Sequence, residues 1–318
     1  MRRAQELKVV FMGTPEFAVV SLQKLLDHKI PVAGVVTGPD KPAGRGLQMQ
    51  PTPVKKLALQ AGLPILQPEK LRDAQFIQSL REWQAEVFVV VAFRILPPEV
   101  FTMPRLGTIN VHASLLPKYR GAAPIQWAII NGETETGVTT FFIEEKVDTG
   151  EMILQRQTAI GEFETAGELH DRLAALGAEV LVATLEQVAS GKWQRKPQIG
   201  EASLAPKITK EMAAIDWKKS AREIFNLVRG MNPFPGAFTN WQGRHLKIFR
   251  ARVYNEAAVD NDAGAVAKVN VKEGELIIQT GRGHLAIDEL QLEGKRRMSA
   301  AEFLRGHPIR NHEKLSLT

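Results

Sequence analysis

The chain has 318 residues, 44% of them hydrophobic and 24% charged, with no cysteine and a net charge of +6. That length exceeds the size at which one core usually keeps growing, so two domains are expected, and the composition excludes disordered and fibrous classes. The absence of cysteine excludes disulfides, thiolate zinc sites and a cysteine nucleophile, in keeping with a reducing compartment.

Met1-Arg2-Arg3-Ala4 leads straight into a strand-like run at residues 8–12 (KVVFM), without the apolar core or cleavage site of a secretory leader. No stretch approaches 18 consecutive apolar residues, so no membrane span is expected, and a cytoplasmic enzyme or binding protein is the expectation. Gly13 ends the first strand. Thr14 as N-cap, Pro15 at the first helical position and Glu16 in the first turn then open a helix to about residue 28. Residues 32–37 (VAGVVT) read as the next strand, and residues 38–53 as a loop rich in Gly, Pro and basic side chains. A short helix near 54–61, a strand at 63–66 and a helix near 73–83 follow. Residues 87–93 (VFVVVAF) form a near-continuous apolar run of the kind buried on both faces of a parallel sheet. The next strand carries Asn110 and His112. This alternation argues for a doubly wound, Rossmann-like open α/β sheet.

Residues 124–130 read as helix, 138–143 and 152–158 as strands, and 165–189 as a long amphipathic helix with Leu169, Leu173, Leu176 and Val180 at helical spacing. Periodicity is lost after 190. The expected organisation is therefore a catalytic domain over 1–190, a linker over 191–208 and a second domain over 209–318. In that last part a helix near 220–231 precedes short strands at 237–241, 246–254, 276–280 and 285–290, joined by glycine-containing turns. Such hairpins suggest a small β-barrel of the OB-like kind. Ser299 and Glu302 form a capping box that opens a last short helix. Residues 209–318 carry 18 Lys and Arg against 13 Asp and Glu, whereas the rest is nearly neutral at 23 against 22. That surplus suits an anionic partner, or ordinary solubilising charge.

The seven histidines make no HxxxH or HExxH pattern, so no metal is expected. No GxSxG elbow or phosphate-binding GxxxxGK[ST] loop is present. The turn after the first strand is not GxGxxG, and Glu16 there would repel a pyrophosphate. What remains is Asn110, His112 and Asp148. Strand alternation puts Asn110 and His112 on one face near the carboxyl end of a strand. A carboxylate can orient an imidazole, and a carboxamide can donate to an oxyanion. By spacing alone, two readings stand: the reacting part of an active site, or a satisfied polar spot at a sheet end beside an ordinary Asp-Thr-Gly turn.

The segment Asn110-x-His112-x-Ser114-Leu115-Leu116-Pro117, with the later Asp148-Thr149-Gly150, resembles the signature of the folate-dependent formyltransferases. Further stretches resemble the members of that family that act on initiator tRNA. They are Gly13-Thr14-Pro15-Glu16-Phe17-Ala18, Pro39-Asp40-Lys41-Pro42-Ala43-Gly44-Arg45-Gly46, Arg120-Gly121-Ala122-Ala123-Pro124, Asn232-Pro233-Phe234-Pro235-Gly236-Ala237 and Gly294-Lys295-Arg296-Arg297-Met298-Ser299. They run through nearly the whole chain.

The resemblance implies transfer of a formyl group from 10-formyltetrahydrofolate, as donor cosubstrate, to the methionyl amino group of initiator tRNA. Asn110 and His112 would stabilise the oxyanion, and Asp148 would tune His112 and help move the proton. Ser114, Leu115, Leu116 and Pro117, with Phe93, Arg94, Ile95 and Leu96, would line the folate site. The 38–53 insertion, with Lys41 and Arg45, would reach the acceptor end of the tRNA. Lys207, Lys210, Lys295, Arg296 and Arg297 would meet RNA through the C-terminal domain, with Arg244 and Lys247 as further candidates. A monomer without a metal or membrane partner is expected. The chain departs from the family pattern at Leu47-Gln48-Met49-Gln50, where relatives place further lysines. It also lacks a glycine within Ala92-Phe93-Arg94-Ile95-Leu96. Rival readings are a family member acting on glycinamide ribonucleotide or an amino sugar, and a formyltetrahydrofolate hydrolase or binding module.

Overall fold

The apolar run after Leu7 becomes β1 (Val9–Gly13), every residue of it buried, in the computed structural model, which describes residues 2–43, 48–257 and 262–317. α1 (Glu16–Asp27) follows, but its cap differs from expectation. Pro15 occupies the N-cap, and the Thr14 hydroxyl accepts instead from the Gly38 N–H at 3.2 Å. A side chain placed to cap was drawn to the neighbouring strand's exit because both loops leave the same end of the sheet.

β2 (Val32–Val36) leads into the segment read as a loop. Part of it is ordered as β3 (Lys41–Ala43) and β4 (Gln48–Gln50), paired antiparallel with Lys41 opposite Gln50. Arg45, between them, lies outside the described residues. The base of this insertion is pinned. The Thr37 and Thr52 hydroxyls are 2.8 Å apart, and Asp40 accepts from Lys55 Nζ at 2.6 Å and Gln67 Nε2 at 2.7 Å. Lys55 first, then Gln67, holds the Asp40 carboxyl below its ordinary range. Thr52 caps α2 (Pro53–Gln60) by accepting from Lys55 N–H.

β5 (Ile65–Leu66), α3 (Ala74–Glu82, capped by Asp73), β6 (Val87–Val91), α4 (Pro98–Phe101) and β7 (Thr108–His112) complete the parallel part. Beyond them come β8 (Arg120–Gly121), α5 (Pro124–Ile130), β9 (Glu135–Phe142), β10 (Met152–Ala159), α6 (Ala166–Ser190) and β11 (Leu204–Ala205). The seven-stranded sheet has the order β10-β9-β7-β6-β1-β2-β5, with only β9 and β10 antiparallel. Chain order reverses between β1 and β6, which is where ligands enter open sheets of this kind, at the carboxyl ends of the strands. One face packs Val10, Met12, Phe76, Leu80, Phe88 and Val90 into a core. α6 packs on β7 and β9: a Cβ on Gly177 would stand 3.1 Å from Val111, and Thr184 meets Thr140 at 2.7 Å. α6 is long and apolar enough by composition to cross a membrane, but over half of its apolar stretch is buried within the fold, as in a core helix.

An acidic side chain fastens the amino-terminal edge of this sheet. Glu86 accepts from both Arg2 nitrogens, from Arg105 at 2.8 Å and from Lys8 N–H at 3.4 Å. Arg2 above all, then Arg105, holds its carboxyl down to about 2, against burial, which pushes it up. A depressed carboxyl stabilises the fold above its unfolded value and loses that contribution as pH falls through the folded one. Glu86→Gln is therefore expected to lower stability at pH 7 by on the order of 1 kcal/mol, since the group is near the surface. The gap to the unaltered chain should close between pH 4.5 and about 2. Melting temperatures of both proteins across that range check this; a gap independent of pH would mean that shape, not charge, is at issue.

The chain forms two compact units: residues 1–124, 135–159 and 170–205 form the first, and 125–134, 160–169 and 206–318 the second. Residues 191–205 of the expected 191–208 linker lie in the first unit. Trp193 packs on Phe142 with ring centroids 5.0 Å apart, Lys196 bridges to Met152, and β11 pairs with β8.

In the second unit, α7 (Ala221–Gly230) opens on a Ser220/Glu223 capping box. It packs on an antiparallel sheet of β12 (Ala237–Trp241), β13 (Arg244–Asn255), β16 (His284–Leu292), β15 (Glu275–Gln279) and β14 (Val266–Asn270), with β17 (Met298–Ser299) added to β16. β14 was missed because its exposed positions break the apolar pattern. Residues near the carboxyl end bridge the two free edges, Ser316 to Asn240 and Lys314 to Ala265, which closes the sheet towards a barrel. Trp217, Phe225, Trp241, Ile248, Leu290 and Phe303 fill it, the last from α8 (Ala300–Gly306).

Candidate active site

β7 runs between β6 and β9, so its last residues leave the sheet beside the reversal point. Asn110 pairs with Val90 on one side and Phe141 on the other, and His112 pairs with Thr139. His112 is 6% exposed, with its ring edge-on to Phe141 at 6.5 Å. Its Nε2 is 2.8 Å from the Tyr119 carbonyl oxygen. A carbonyl only accepts, so Nε2 carries the hydrogen and Nδ1 is the nitrogen left for chemistry. Nδ1 lies 3.7 Å from Asp148 Oδ2, an electrostatic contact longer than a hydrogen bond.

Asp148 occupies a left-handed backbone conformation (φ +54°) in the turn between β9 and β10. Its Oδ2 accepts from the Gly121 N–H at 2.8 Å. Gly121 must be glycine: at φ +128°, a Cβ would stand 2.6 Å from the Ala205 carbonyl oxygen. Asn110 is half-buried, and among the described residues no hydrogen bond engages its carboxamide. His112 and Asp148 therefore meet at the carboxyl end of β7, and Asn110 stands two residues earlier on the same strand.

Residues 114–117 form a wall rather than a row of polar hands. The Ser114 hydroxyl donates to Lys118 O at 2.6 Å, its carbonyl accepts from Thr139 Oγ1 at 2.7 Å, and Leu116 N–H donates back to Thr139 at 3.2 Å. Gln155 binds both Leu116 O and Thr139 Oγ1. Leu116 and Pro117 are buried, joined by a cis bond, and Leu115 is half-buried.

After β6, Ala92 is exposed at φ +47°, a conformation glycine favours. Arg94 reaches away to Pro68 O and Glu69 O at 2.7 and 2.9 Å, and burial lowers its pKa from the ordinary arginine value. Leu96 is in the core, Phe93 is half-buried, and Ile95 is 75% exposed.

The basic candidates separate into two groups. Lys41, Lys207, Lys210 and Lys295 are exposed and have no carboxylate within 4.0 Å among the described residues. Arg296 pairs with Glu302 at 2.7 Å, and Arg297 pairs with Glu289 while stacking 4.3 Å over Phe249. Arg244 and Lys247 donate to the Glu293 and Pro235 carbonyls. Sequence reasoning missed Tyr119, Gly121, Thr139, Gln155 and Gln198 because they act through backbone groups or across long separations. Only the glycine of Arg120-Gly121 carried a local signal.

Comparison with known proteins bears on what this geometry does. The family model described as "Formyl transferase" matches residues 7–185, and "Formyl transferase, C-terminal domain" matches 207–308. The methionyl-tRNA formyltransferase of Pelotomaculum thermopropionicum is 52% identical over 304 residues, 95% of this chain and 96% of that one. The protein of the same name from Caldanaerobacter subterraneus subsp. tengcongensis is 51% identical, covering 95% and 98%. Among solved structures, HypX from Aquifex aeolicus in complex with tetrahydrofolic acid shares the fold at TM-score 0.64 and 17% identity, covering 98% of this chain and 50% of that one. The sugar 3N-formyl transferase WlaRD does so at TM-score 0.65 and 21% identity, covering 91% and 99%.

Proposed function

Since the chain belongs to the formyl transferase family, we propose that it transfers the formyl group of 10-formyltetrahydrofolate to the methionyl amino group of initiator tRNA, supporting translation initiation. The observation that carries this is identity of about half, over 95% of the chain, with relatives named for that reaction. The meeting of His112 and Asp148 at the carboxyl end of β7, with Asn110 two residues earlier on that strand, supports it.

The amine attacks the formyl carbon and forms a C–N bond as the carbonyl electrons move onto oxygen. The bond to the donor nitrogen then breaks, and one proton passes from the attacking to the leaving nitrogen. The free Asn110 carboxamide donates to the oxyanion, with His112 beside it. Because Nε2–H of His112 is committed to Tyr119 O, Nδ1 takes up and returns the proton. The Asp148 carboxylate, 3.7 Å away, stabilises the imidazolium while it lasts. Ser114–Pro117 and the 93–96 loop wall the donor's ring, with Arg94 holding that loop in place.

On this reading residues 1–190 carry catalysis and 209–318 bind RNA, while 191–208 runs between them with its part up to 205 packed in the first unit. Lys41, Arg45, Lys207, Lys210 and Lys295 contact phosphates, with Arg296 and Arg297 secondary because their charges are matched within the fold. The enzyme works as a monomer in the cytoplasm, without a metal. The deciding experiment offers 10-formyltetrahydrofolate with methionyl-tRNA, glycinamide ribonucleotide or an amino sugar nucleotide. Transfer to the tRNA alone is expected; comparable transfer to another acceptor, or release of formate without one, sinks the assignment. Arg45→Ala should raise KM for tRNA roughly tenfold, as loss of one phosphate contact does. KM for the donor should stay unchanged; an equal rise in both would remove Arg45 from the RNA contact.

A further inference from the structure

Asp148 and His112 do not hold themselves in place. The Nε2–H of His112 rests on the Tyr119 carbonyl, and Asp148 Oδ2 rests on the Gly121 N–H. Tyr119 and Asp148 both have positive φ, +61° and +54°, which a side-chain-bearing residue keeps only when its surroundings impose it. The 148–150 segment is a turn between β9 and β10, and 119–121 holds only the two-residue β8, whose one ladder partner is β11.

The constraint comes from the stretch between α6 and β11. The Gln198 Nε2 donates to the carbonyls of Asp148 and Gly150, each at 2.9 Å. Its Oε1 accepts from Arg120 Nε at 3.1 Å and Nη2 at 2.6 Å. All the donor and acceptor capacity of one carboxamide is thus engaged, two bonds to each segment that positions the pair. The neighbouring backbone reinforces the same clamp. Ser203 Oγ accepts from Tyr119 N–H at 2.9 Å and Ser203 O from Arg120 N–H at 2.9 Å, after which β11 pairs with β8. Upstream, Arg195 pairs with Glu151 at 3.2 Å and covers the Phe142 ring, so the strap is anchored on both sides of Gln198.

We propose that Gln198 is a positioning residue for formyl transfer, its carboxamide tying the Asp148 turn to the Arg120 strand so that the carboxylate stays at its distance from His112. The inference rests on the proposed function, because it assigns Gln198 a part in that chemistry. It assigns no contact with either substrate.

Gln198→Ala leaves two carbonyls without donors and the Arg120 guanidinium without its acceptor. Gln198→Glu keeps the acceptor for Arg120 but loses both donors and sets a negative charge against the two carbonyls, so it fails in the same way while leaving the strap paired. The test is steady-state formyl transfer by the unaltered protein, both Gln198 variants, Asp148→Asn and the double variants, with melting temperatures of each. The expected result is a kcat about tenfold lower in both Gln198 variants, with KM for donor and tRNA within about twofold, as for an interaction that matters only in the transition state. In the Asp148→Asn background the same changes should cost less than about twofold, because residues acting through one another are not additive. Wild-type kcat in Gln198→Glu overturns the proposal. So does an undiminished tenfold loss in the Asp148→Asn background, which would mark a general structural role. Absence of transfer by the unaltered protein would instead overturn the reading of the function itself.

Discussion

His112→Ala binds the folate donor as the unaltered chain does and turns over about 10²–10³-fold more slowly, the usual consequence of removing a group that meets charge only in the transition state. The ring is 6% exposed and touches the rest of the fold through the Tyr119 carbonyl and the edge of Phe141. On the proposed reading donor binding draws on the β6 exit loop, which Arg94 fastens to Pro68 and Glu69 independently of His112. Loss of the imidazole therefore removes the proton carrier and leaves the donor's wall standing. Turnover and kcat/KM should fall by the same factor. Single-turnover formylation, together with equilibrium binding of the donor, separates these quantities. Full turnover would take His112 out of the chemistry, and a parallel fall in donor affinity would make it a binding residue. Asn110→Ala belongs to the same class, but it removes a side chain with no hydrogen bond among the described residues, so its stability cost should be the smaller of the two.

How legible these features were depends on how local their causes are. β1 and β6 are apolar runs, and α7 and α8 start on capping boxes that close within four residues, so each could be read off the chain. Asn110 and His112 could be placed on one face because alternation is a property of the strand itself. Asp148 could be offered as a candidate from the residues, but its role beside His112 needed the family resemblance, since nothing in a Val-Asp-Thr-Gly turn says which histidine it approaches. Thr14 shows the limit from the other side: a side chain suited to a cap went to the Gly38 N–H because a loop from β2 was nearer. The strap over 191–205 was illegible for the same reason. Its structure consists of contacts spanning 44 to 84 residues, Arg195 to Glu151 and Ser203 to Tyr119, and it has no periodicity to detect. The pairing of β3 with β4 was masked by a composition of Gly, Pro and polar residues that also describes a loop.

Gly150→Ala is expected to cost about 3 kcal/mol of stability, at the upper end for forced overpacking, and more than about 100-fold in activity, as a misplaced catalytic group does. The reason is spatial rather than conformational. A Cβ on Gly150 would stand 1.7 Å from the Phe142 carbonyl oxygen and 2.9 Å from its carbon. Neither is the tip of a side chain that can swing aside. Phe142 ends β9 opposite Ile109 of β7, and its N–H donates to Glu151 O at 3.0 Å, so the clash can be relieved only by lifting the 147–150 turn. That turn carries Asp148, and the Gly150 carbonyl is one of the two that Gln198 grips. Lifting it draws the carboxylate from His112 and breaks the clamp together. Thr149→Ala is the matched control, because its hydroxyl only donates to Lys146 O at 3.0 Å and should be worth about 1 kcal/mol or less. Melting temperature and turnover of the two variants should diverge sharply. A Gly150→Ala protein with ordinary stability and full turnover would mean that the turn relaxes freely and that Asp148 does not need to be held where it stands.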